Sequence, residues 1–356
     1  MNENWKQWIL LLGRPAFAVQ AGKITVLNEE AMDLGLMPGT PVEPLLASGQ
    51  TEYEAFEEGC LYLPLDLDGT TAWASVQTME DARLFLLERL EEERELKALA
   101  LAAQNLRIPL SNVMTVADRL LPQLSQRGDP KTEAQMAELN RGLCQLLRAV
   151  GNMSDAGMPR SARLEGTELG SFLYDLAQRG GELLEASGVI LEYKLPAKAV
   201  YAQVDRQLLE RAVYNLLSNS AKYCKKGGKI GMRLEASGDL IRIVIQDDGD
   251  GVGDGLRGSL FGRFRREPGL GDSRWGIGLG LQMVHQAAKV HKGTLLMRQI
   301  PEGGTEMVLS LQAQSTPGGT LRSPVLSLDY AGARDHALIE LADVLPAKAF
   351  AVEKVN

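Results

Sequence analysis

Two amides, one carboxylate and a set of glycines carry the chemistry open to this chain. Asn215 and Asn219 stand four apart in Asn215-Leu-Leu-Ser-Asn219-Ser-Ala-Lys222-Tyr223, so on a helix both side chains share one face. An amide oxygen is a hard ligand of the kind Mg²⁺ takes, and Mg²⁺ in turn holds phosphate oxygens. Lys222 lies near the same face with an ammonium that can reach phosphate, and Tyr223 offers a ring to pack on a base. Asp247 ends an apolar strand-like run and begins Asp247-Asp-Gly249-Asp-Gly251. Its carboxylate can take a charge-assisted hydrogen bond from an amino group, and Gly249 and Gly251 let the backbone turn closely. Phe261-Gly-Arg263-Phe264-Arg265-Arg266 pairs two aromatic anchors with cations, Arg263 and Arg266 being placed to steady phosphates. Gly276-Ile-Gly278-Leu-Gly280-Leu281 leads into a helix, whose N-terminus favours anions.

Each piece alone is ordinary. Asp-Gly pairs are common turns, Asn219 by itself reads as a cap or surface residue, and Arg265 and Arg266 read as solvated charges. The order of all four is informative. Together they resemble the N, G1, F and G2 boxes of the histidine-kinase ATP-binding domain, of the superfamily shared with gyrase, Hsp90 and MutL. The resemblance implies ATP and Mg²⁺ as cofactors, with Asn215 and Asn219 as metal ligands. It implies Asp247 as reader of the adenine amino group, with Gly249 and Gly251 beside the base. Phe261 and Phe264 would anchor a lid that hinges at Gly276, Gly278 and Gly280, with Leu281 the last of the nucleotide-binding residues. Gyrase and Hsp90 carry a water-activating Glu where this chain has Asn215, as histidine kinases do. An efficient ATPase is not expected without that general base.

A second stretch, Ala103-Gln104-Asn105-Leu106-Arg107-Ile108-Pro109-Leu110, resembles the H box of the kinase dimerisation domain, usually Ser-His-Glu-Leu-Arg-Thr-Pro-Leu. The Leu-Arg-x-Pro-Leu half is intact, and a proline at ~3 kcal/mol in a helix interior is an unusual marker. The reactive half is gone. Gln104 stands where the family has the phosphoacceptor histidine, and an amide is no phosphoryl acceptor. Asn105 replaces the carboxylate beside it, and Ile108 the residue that positions water for dephosphorylation. The only histidines, His285, His291 and His336, lie far downstream. His285 and His291 are expected to be packing or structural residues.

Several elements must position these groups. Residues 81 to about 124 are expected to be helical, the charged run Glu88–Glu95 forming a solvated face. Leu96, Leu99, Ala103, Leu106, Leu110, Val113, Ala117, Leu120 and Leu124 alternate spacings of three and four, a heptad seam. After Asp129-Pro130, a helix start, Met136, Leu139, Leu143, Leu146, Val150 and Met153 make a second seam. A short loop makes the two helices antiparallel neighbours, and the wet apolar seam predicts a second copy completing a four-helix bundle. Residues 155–165 read as a linker. Helices are expected over 169–185, from Asp205, and over 280–290. Strands are expected over 189–195, 200–204, 229–235, 240–246, 293–299 and 306–311.

Upstream, Pro15–Val19 and Gly22–Leu27 read as a strand pair, with Asn28 capping the next helix, and Leu61–Leu67 and Thr71–Val76 as a hairpin around Gly69. This opening is similar to a PAS sensor domain. The expected organisation is multidomain α+β. A PAS-like α/β module spans 1–80, a dimerisation hairpin 81–156, and a two-layer α/β sandwich of the GHKL ATP-binding type 160–313. A tail over 314–356 is expected to hold a strand near Pro324–Leu328 and a helix from His336, docked on the ATP domain or on a partner.

Bulk properties narrow the class. A formal charge of −8 speaks against a nucleic-acid binder. Cys60, Cys144 and Cys224 have no metal or disulfide spacing, and no apolar run reaches the ~18 residues of a membrane helix. A cytoplasmic location is expected. The family implies autophosphorylation and transfer to a response regulator. The chain keeps the residues for ATP binding but not the acceptor, so it reads as a pseudokinase: a homodimer, or a heterodimer with a related kinase. One alternative is an active kinase using another acceptor, and another an ATP-gated interaction module resembling anti-sigma factors.

Overall fold

The computed structural model describes residues 4–79, 81–88, 90–125, 129–157, 161–225, 227–251, 279–301, 303–312 and 334–355. Phe261, Arg263, Phe264, Arg266, Gly276 and Gly278, and the strand expected near Pro324–Leu328, lie outside them.

The chain opens with α1 (Asn4–Leu10), β1 (Ala16–Gln20) and β2 (Lys23–Leu27). Ala21 and Gly22 between the strands have φ of 49° and 75°, the left-handed pair that a tight hairpin requires. Asn28 caps α2 (Glu29–Met32) as expected, its Oδ1 accepting from the Ala31 amide. It does more than cap. The same oxygen takes the Ala16 amide at 3.0 Å, and its NH₂ donates to the carbonyls of Leu12 and Arg14. One buried side chain thus ties β1, α2 and the entering segment. Then come α3 (Gln50–Glu54), β3 (Cys60–Leu67), β4 (Thr70–Met79) and β5 (Ala82–Leu87).

β5 corrects the helix expected from residue 81. Ala-Arg-Leu-Phe-Leu-Leu is nearly continuous in apolar residues because β5 lies between β1 and β4 and is buried on both faces. Such a run carries neither period. The helix begins later, as α4 (Leu90–Ser125), with Pro109 inside it, and α5 (Pro130–Gly157) follows. Asp129 starts α5, accepting from the Lys131 amide and the Thr132 hydroxyl. The two helices are antiparallel: Gly157, at the end of α5, lies so close to Leu96, near the start of α4, that a Cβ would overlap its carbonyl.

The hairpin buries Leu96, Ala100, Ala103, Met114, Ala117 and Leu121 of α4. The expected seam is therefore split. Leu96, Ala103 and Ala117 face inward, while Leu106, Val113, Leu120 and Leu124 are exposed together with Leu139 and Leu146 of α5.

The remaining elements are β6 (Glu165–Glu168), α6 (Leu169–Glu185), β7 (Ile190–Lys194), β8 (Tyr201–Val204), α7 (Arg206–Tyr223), β9 (Lys229–Ser237), β10 (Leu240–Asp247), α8 (Gly280–Val290), β11 (Leu295–Gln299) and β12 (Thr305–Gln312). After them come α9 (His336–Glu340), a 3-10 turn (Ala347–Phe350) and α10 (Val352–Val355). β6, at the end of the stretch read as linker, pairs with β8 in a small second sheet. Leu173, Leu209, Leu216, Met283 and Val284 of α6, α7 and α8 pack with Ile230, Ile243 and Ile245 of the main sheet in one core.

The main sheet runs β2-β1-β5-β4-β3-β11-β12-β10-β9-β7. It crosses the expected domain boundary. β3 of the N-terminal module pairs antiparallel with β11, Leu295 opposite Tyr62 and Met297 opposite Cys60. Tyr62 stacks on His285 with ring centroids 4.0 Å apart, and Lys289 reaches Glu88 at 2.7 Å. A Cβ at Gly59 would overlap the Met297 carbonyl, so the junction requires that glycine. Among the described residues, no helix is long and apolar enough to cross a membrane.

Candidate functional site

The site is built around α7. Asp205 caps it, its side chain accepting from the Leu208 amide, while its own amide donates to His291 Nε2 at 3.0 Å. His291 Nδ1 lies 2.7 Å from the Ala287 carbonyl, which fixes a neutral ring with the proton on Nδ1. Burial holds its pKa below the usual histidine value, against the Ala287 contact and Asp205. This link joins the start of α7 to the end of α8 and sets the two helices side by side. A Cβ on Gly280, at the start of α8, would lie 2.8 Å from Asn215 Oδ1 and 4.0 Å from Asn219 Oδ1. The structure therefore brings both N-box amides and one G2-box glycine together. Leu281 is half-buried against the core.

One end of the site is made by the main chain. Asp247 closes β10 and is buried, with Oδ1 accepting from the Gly249 and Thr305 amides, each at 3.1 Å. Burial pushes its pKa up, and those two amides with the Ser220 side chain pull the other way. Gly249 lies against the Tyr223 carbonyl at the end of α7, where a side chain would clash. Gly251 has φ +76° beside Gln299. Asp247, Gly249 and Tyr223 thus pack closely together. Sequence reasoning missed the third segment that meets them, Gly303-Gly304-Thr305. Gly304 has φ +103°, and a Cβ there would overlap the Asp247 carbonyl. The signal was a Gly-Gly pair directly before an apolar strand.

The other end is made by charges. Asn215 is fully buried. Its Oδ1 accepts from Arg148 Nη2 of α5 at 2.9 Å, and its Nδ2 donates to the Arg211 carbonyl and, at 3.1 Å, to Glu340 Oε2 of α9. Glu340 accepts from Arg211 Nε at 2.8 Å and lies 3.3 Å from Arg148 Nε. Arg211 also pairs with Asp155 and donates to Asn152 Oδ1. Asp343 pairs with Arg148 at 2.7 Å and with Lys222 at 3.3 Å. Burial and Arg148 push the Lys222 ammonium down to about 8, against Asp343. Arg148, Arg211, Glu340 and Asp343 were not singled out from sequence, where each is one charge in a mixed helical pattern.

The donor set suits Mg²⁺ in kind, two hard amide oxygens beside a lysine. Asn219 is partly open, whereas the Asn215 oxygen is already bonded to a guanidinium. Gln104 and Asn105 sit apart, on an exposed face of α4. Among the described residues no group of three or more His, Cys, Asp or Glu could hold a metal ion.

Residues 204–315, about the span from α7 to β12, match the family model described as histidine kinase-, DNA gyrase B-, and HSP90-like ATPase. The sensor protein KdpD of Escherichia coli is 28% identical over 234 residues, covering 64% of this chain and 26% of KdpD. The signal transduction histidine-protein kinase/phosphatase MprB of a Mycobacterium species is 29% identical over 270 residues, covering 71% of this chain and 51% of MprB. The chain thus spans from about a quarter to about half the length of these relatives. In fold, it is similar to full-length ShkA, solved in complex with AMPPNP, with a TM-score of 0.50 at 19% identity, over 62% of this chain and 46% of ShkA. The chain is thus similar to sensor histidine kinases over 64–71% of its length, and residues 204–315 match the histidine kinase-, DNA gyrase B-, and HSP90-like ATPase model.

Proposed function

We propose that this chain binds Mg-ATP but does not phosphorylate itself, and signals by conformation as a dimeric pseudokinase. The observation that carries the reading is the pairing of a kept site with an emptied one. The hydrogen bonds of buried Asp247 and the closeness of Asn215, Asn219 and Gly280 support the nucleotide reading, while the acceptor position on α4 is Gln104 beside Asn105. In this reading Asp247 receives the adenine amino group, and Gly249 and Gly251 admit the base. Asn219 and Asn215 hold Mg²⁺, with Lys222 at the phosphates. No carboxylate stands at the Asn215 position to activate water.

The N-terminal module is proposed as a PAS-like unit. The exposed Leu106, Val113, Leu120, Leu124, Leu139 and Leu146 support a second copy completing a four-helix bundle. A related kinase offering the same seam would serve as a heterodimer partner, and a response regulator is the proposed downstream contact. Val113→Glu with Leu120→Glu is expected to convert the dimer to monomer in sedimentation; two exposed substitutions that leave a dimer intact count against the bundle.

The deciding experiment incubates the full chain with Mg²⁺ and saturating γ-labelled ATP, scoring bound nucleotide and covalent label separately. Asp247→Ala and the pair Gln104→His with Asn105→Glu run alongside. Wild type should bind without becoming labelled, Asp247→Ala should not bind, and the restored pair should label. Asp247-dependent labelling of wild type would establish an active kinase with another acceptor. No bound nucleotide in any form would end the ATP reading.

A further inference from the structure

We propose that the C-terminal segment 335–350 is an intramolecular competitor of nucleotide, its Glu340 and Asp343 carboxylates occupying the anion positions of the N box. The inference rests on the nucleotide reading above and adds its regulation. Three cations meet here, Arg148, Arg211 and Lys222, and three carboxylates answer them, Asp155, Glu340 and Asp343. With the segment seated the cluster is balanced, so bringing phosphates to it adds uncompensated anions. With the segment away, Asp155 alone remains against three cations, and the surplus faces the amides of α7. A polyanion fits the released state and is repelled by the seated one.

Asn215 leads to the same exclusion through hydrogen bonding. Its oxygen accepts from a guanidinium and its NH₂ donates to Glu340. A divalent cation at that oxygen would stand directly against the positive guanidinium of Arg148, which opposes its binding, and Arg148 is held there by Glu340 and Asp343. The two carboxylates therefore act on the metal position through Arg148 and on the phosphate position through Lys222.

The seat also joins two parts of the molecule. Asn140 Nδ2 of α5 donates to the Phe350 carbonyl at 3.1 Å, and Ser187 Oγ, just beyond α6, donates to the Val344 carbonyl at 2.9 Å. Arg179 of α6 pairs with Asp335. Leu338, Ile339, Leu341 and Phe350 are buried between these helices. While seated, the segment fastens the hairpin helix α5 to the ATPase domain. Entry of nucleotide and freeing of the hairpin become one event, because a ligand that binds only the open form shifts the population toward it.

The test uses the full chain, a fluorescent ATP analogue and Mg²⁺. Glu340→Gln with Asp343→Asn removes both charges at constant shape. A segment seated about 90% of the time lowers apparent affinity about tenfold, so this variant should bind about tenfold more tightly than wild type. The opposite perturbation is Ser187→Cys with Val344→Cys. Its oxidised form, tethered in the seat, should bind at least about tenfold more weakly than its reduced form. This pair leaves the charge cluster intact should the first variant fail to fold. Hydrogen exchange over 335–350 should accelerate when Mg-ATP is added. Affinity unchanged by charge removal and by tethering overturns the competitor while leaving nucleotide binding standing. Slower exchange over 335–350 with nucleotide bound overturns it as well. No binding by any form, reduced or oxidised, overturns the nucleotide reading itself.

Discussion

The two ends of the candidate site meet α7 about two turns apart, at Asn215 and at Tyr223, yet they are held by different kinds of bond. At the Asp247 end the partners are backbone amides of Gly249 and Thr305, with glycines at the points of closest approach. Those partners belong to neighbouring strands of the same domain, and folding of that domain is enough to form them. At the Asn215 end the partners are side-chain charges from α5, α7 and the C-terminal segment, far apart in sequence. That end exists in its present form only while three segments stay together. A site fixed by main chain is a standing property, and a charge cluster gathered from separate segments is a conditional one.

The largest test of this contrast removes Arg211. It is fully buried, with Glu340, Asp155 and Asn152 as partners. Arg211→Ala leaves buried carboxylates short of a partner, which costs about 3–5 kcal/mol. Urea denaturation should show that loss. Adding Glu340→Leu should recover much of it, because a buried pair replaced by apolar groups is close to neutral. A loss under about 1 kcal/mol, typical of exposed pairs, would mean that the cluster is open to water and that the contrast is wrong.

Asp247→Asn probes the other end and should separate binding from stability. The amide keeps an oxygen for Gly249 and Thr305 but cannot offer a charged acceptor. Nucleotide affinity should fall by about 1.5–3 kcal/mol, the worth of a hydrogen bond to a charged group. Folding stability at neutral pH should hold or rise. The folded pKa of Asp247 is raised, so its ionised form is disfavoured in the fold and its removal relieves that cost. Calorimetric titration and thermal denaturation read the two quantities separately. A protein that loses both together would mark Asp247 as a structural residue.

The same contrast explains what could be read from sequence. The helix and strand end that carry the N and G1 boxes were legible because each box is short and its pattern is local: Asn215 and Asn219 one helical turn apart, Asp247 two residues before Gly249. The helix starts at Asn28, Asp129 and Asp205 were legible because a cap is a neighbour effect. β5 was not, since Ala82–Leu87 is buried on both faces and shows no period. The β3–β11 junction was not, because strand pairing is made by backbone and leaves only Gly59 as a trace. The charge cluster was hidden for a third reason. Glu340 in Leu338-Ile-Glu-Leu and Arg148 in Leu147-Arg-Ala look like solvated positions until their partners are known. A single acidic residue inside so apolar a run was the available hint, since a buried charge calls for a partner.

A smaller effect tests how the two ends respond to acid. His291 joins α7 to α8 as a neutral ring, and its pKa is lowered in the fold. Below the unfolded histidine value of 6.5 the unfolded chain binds the extra proton first. Stability from this link is therefore present above 6.5 and lost as pH falls through 6.5 toward the folded pKa, by at most about 1.4 kcal/mol per pH unit. Asp247 acts with the opposite sign, because its folded pKa is raised: its contribution is present below 3.8 and lost as pH rises through the folded value. Acid should thus loosen the helix pair that brings Gly280 to Asn215 while leaving the Asp247 end intact. His291→Gln keeps an acceptor for the Asp205 amide and does not titrate. Its denaturation midpoint should depend less on pH between 7.5 and 5.5 than that of wild type, and the protection of the Asp205 amide, relative to its intrinsic exchange rate, should lose its acid sensitivity while that of the Thr305 amide is the same in both proteins. Equal acid responses in the two proteins would place the weak point elsewhere and leave the α7–α8 junction without a role in setting the Asn215 end.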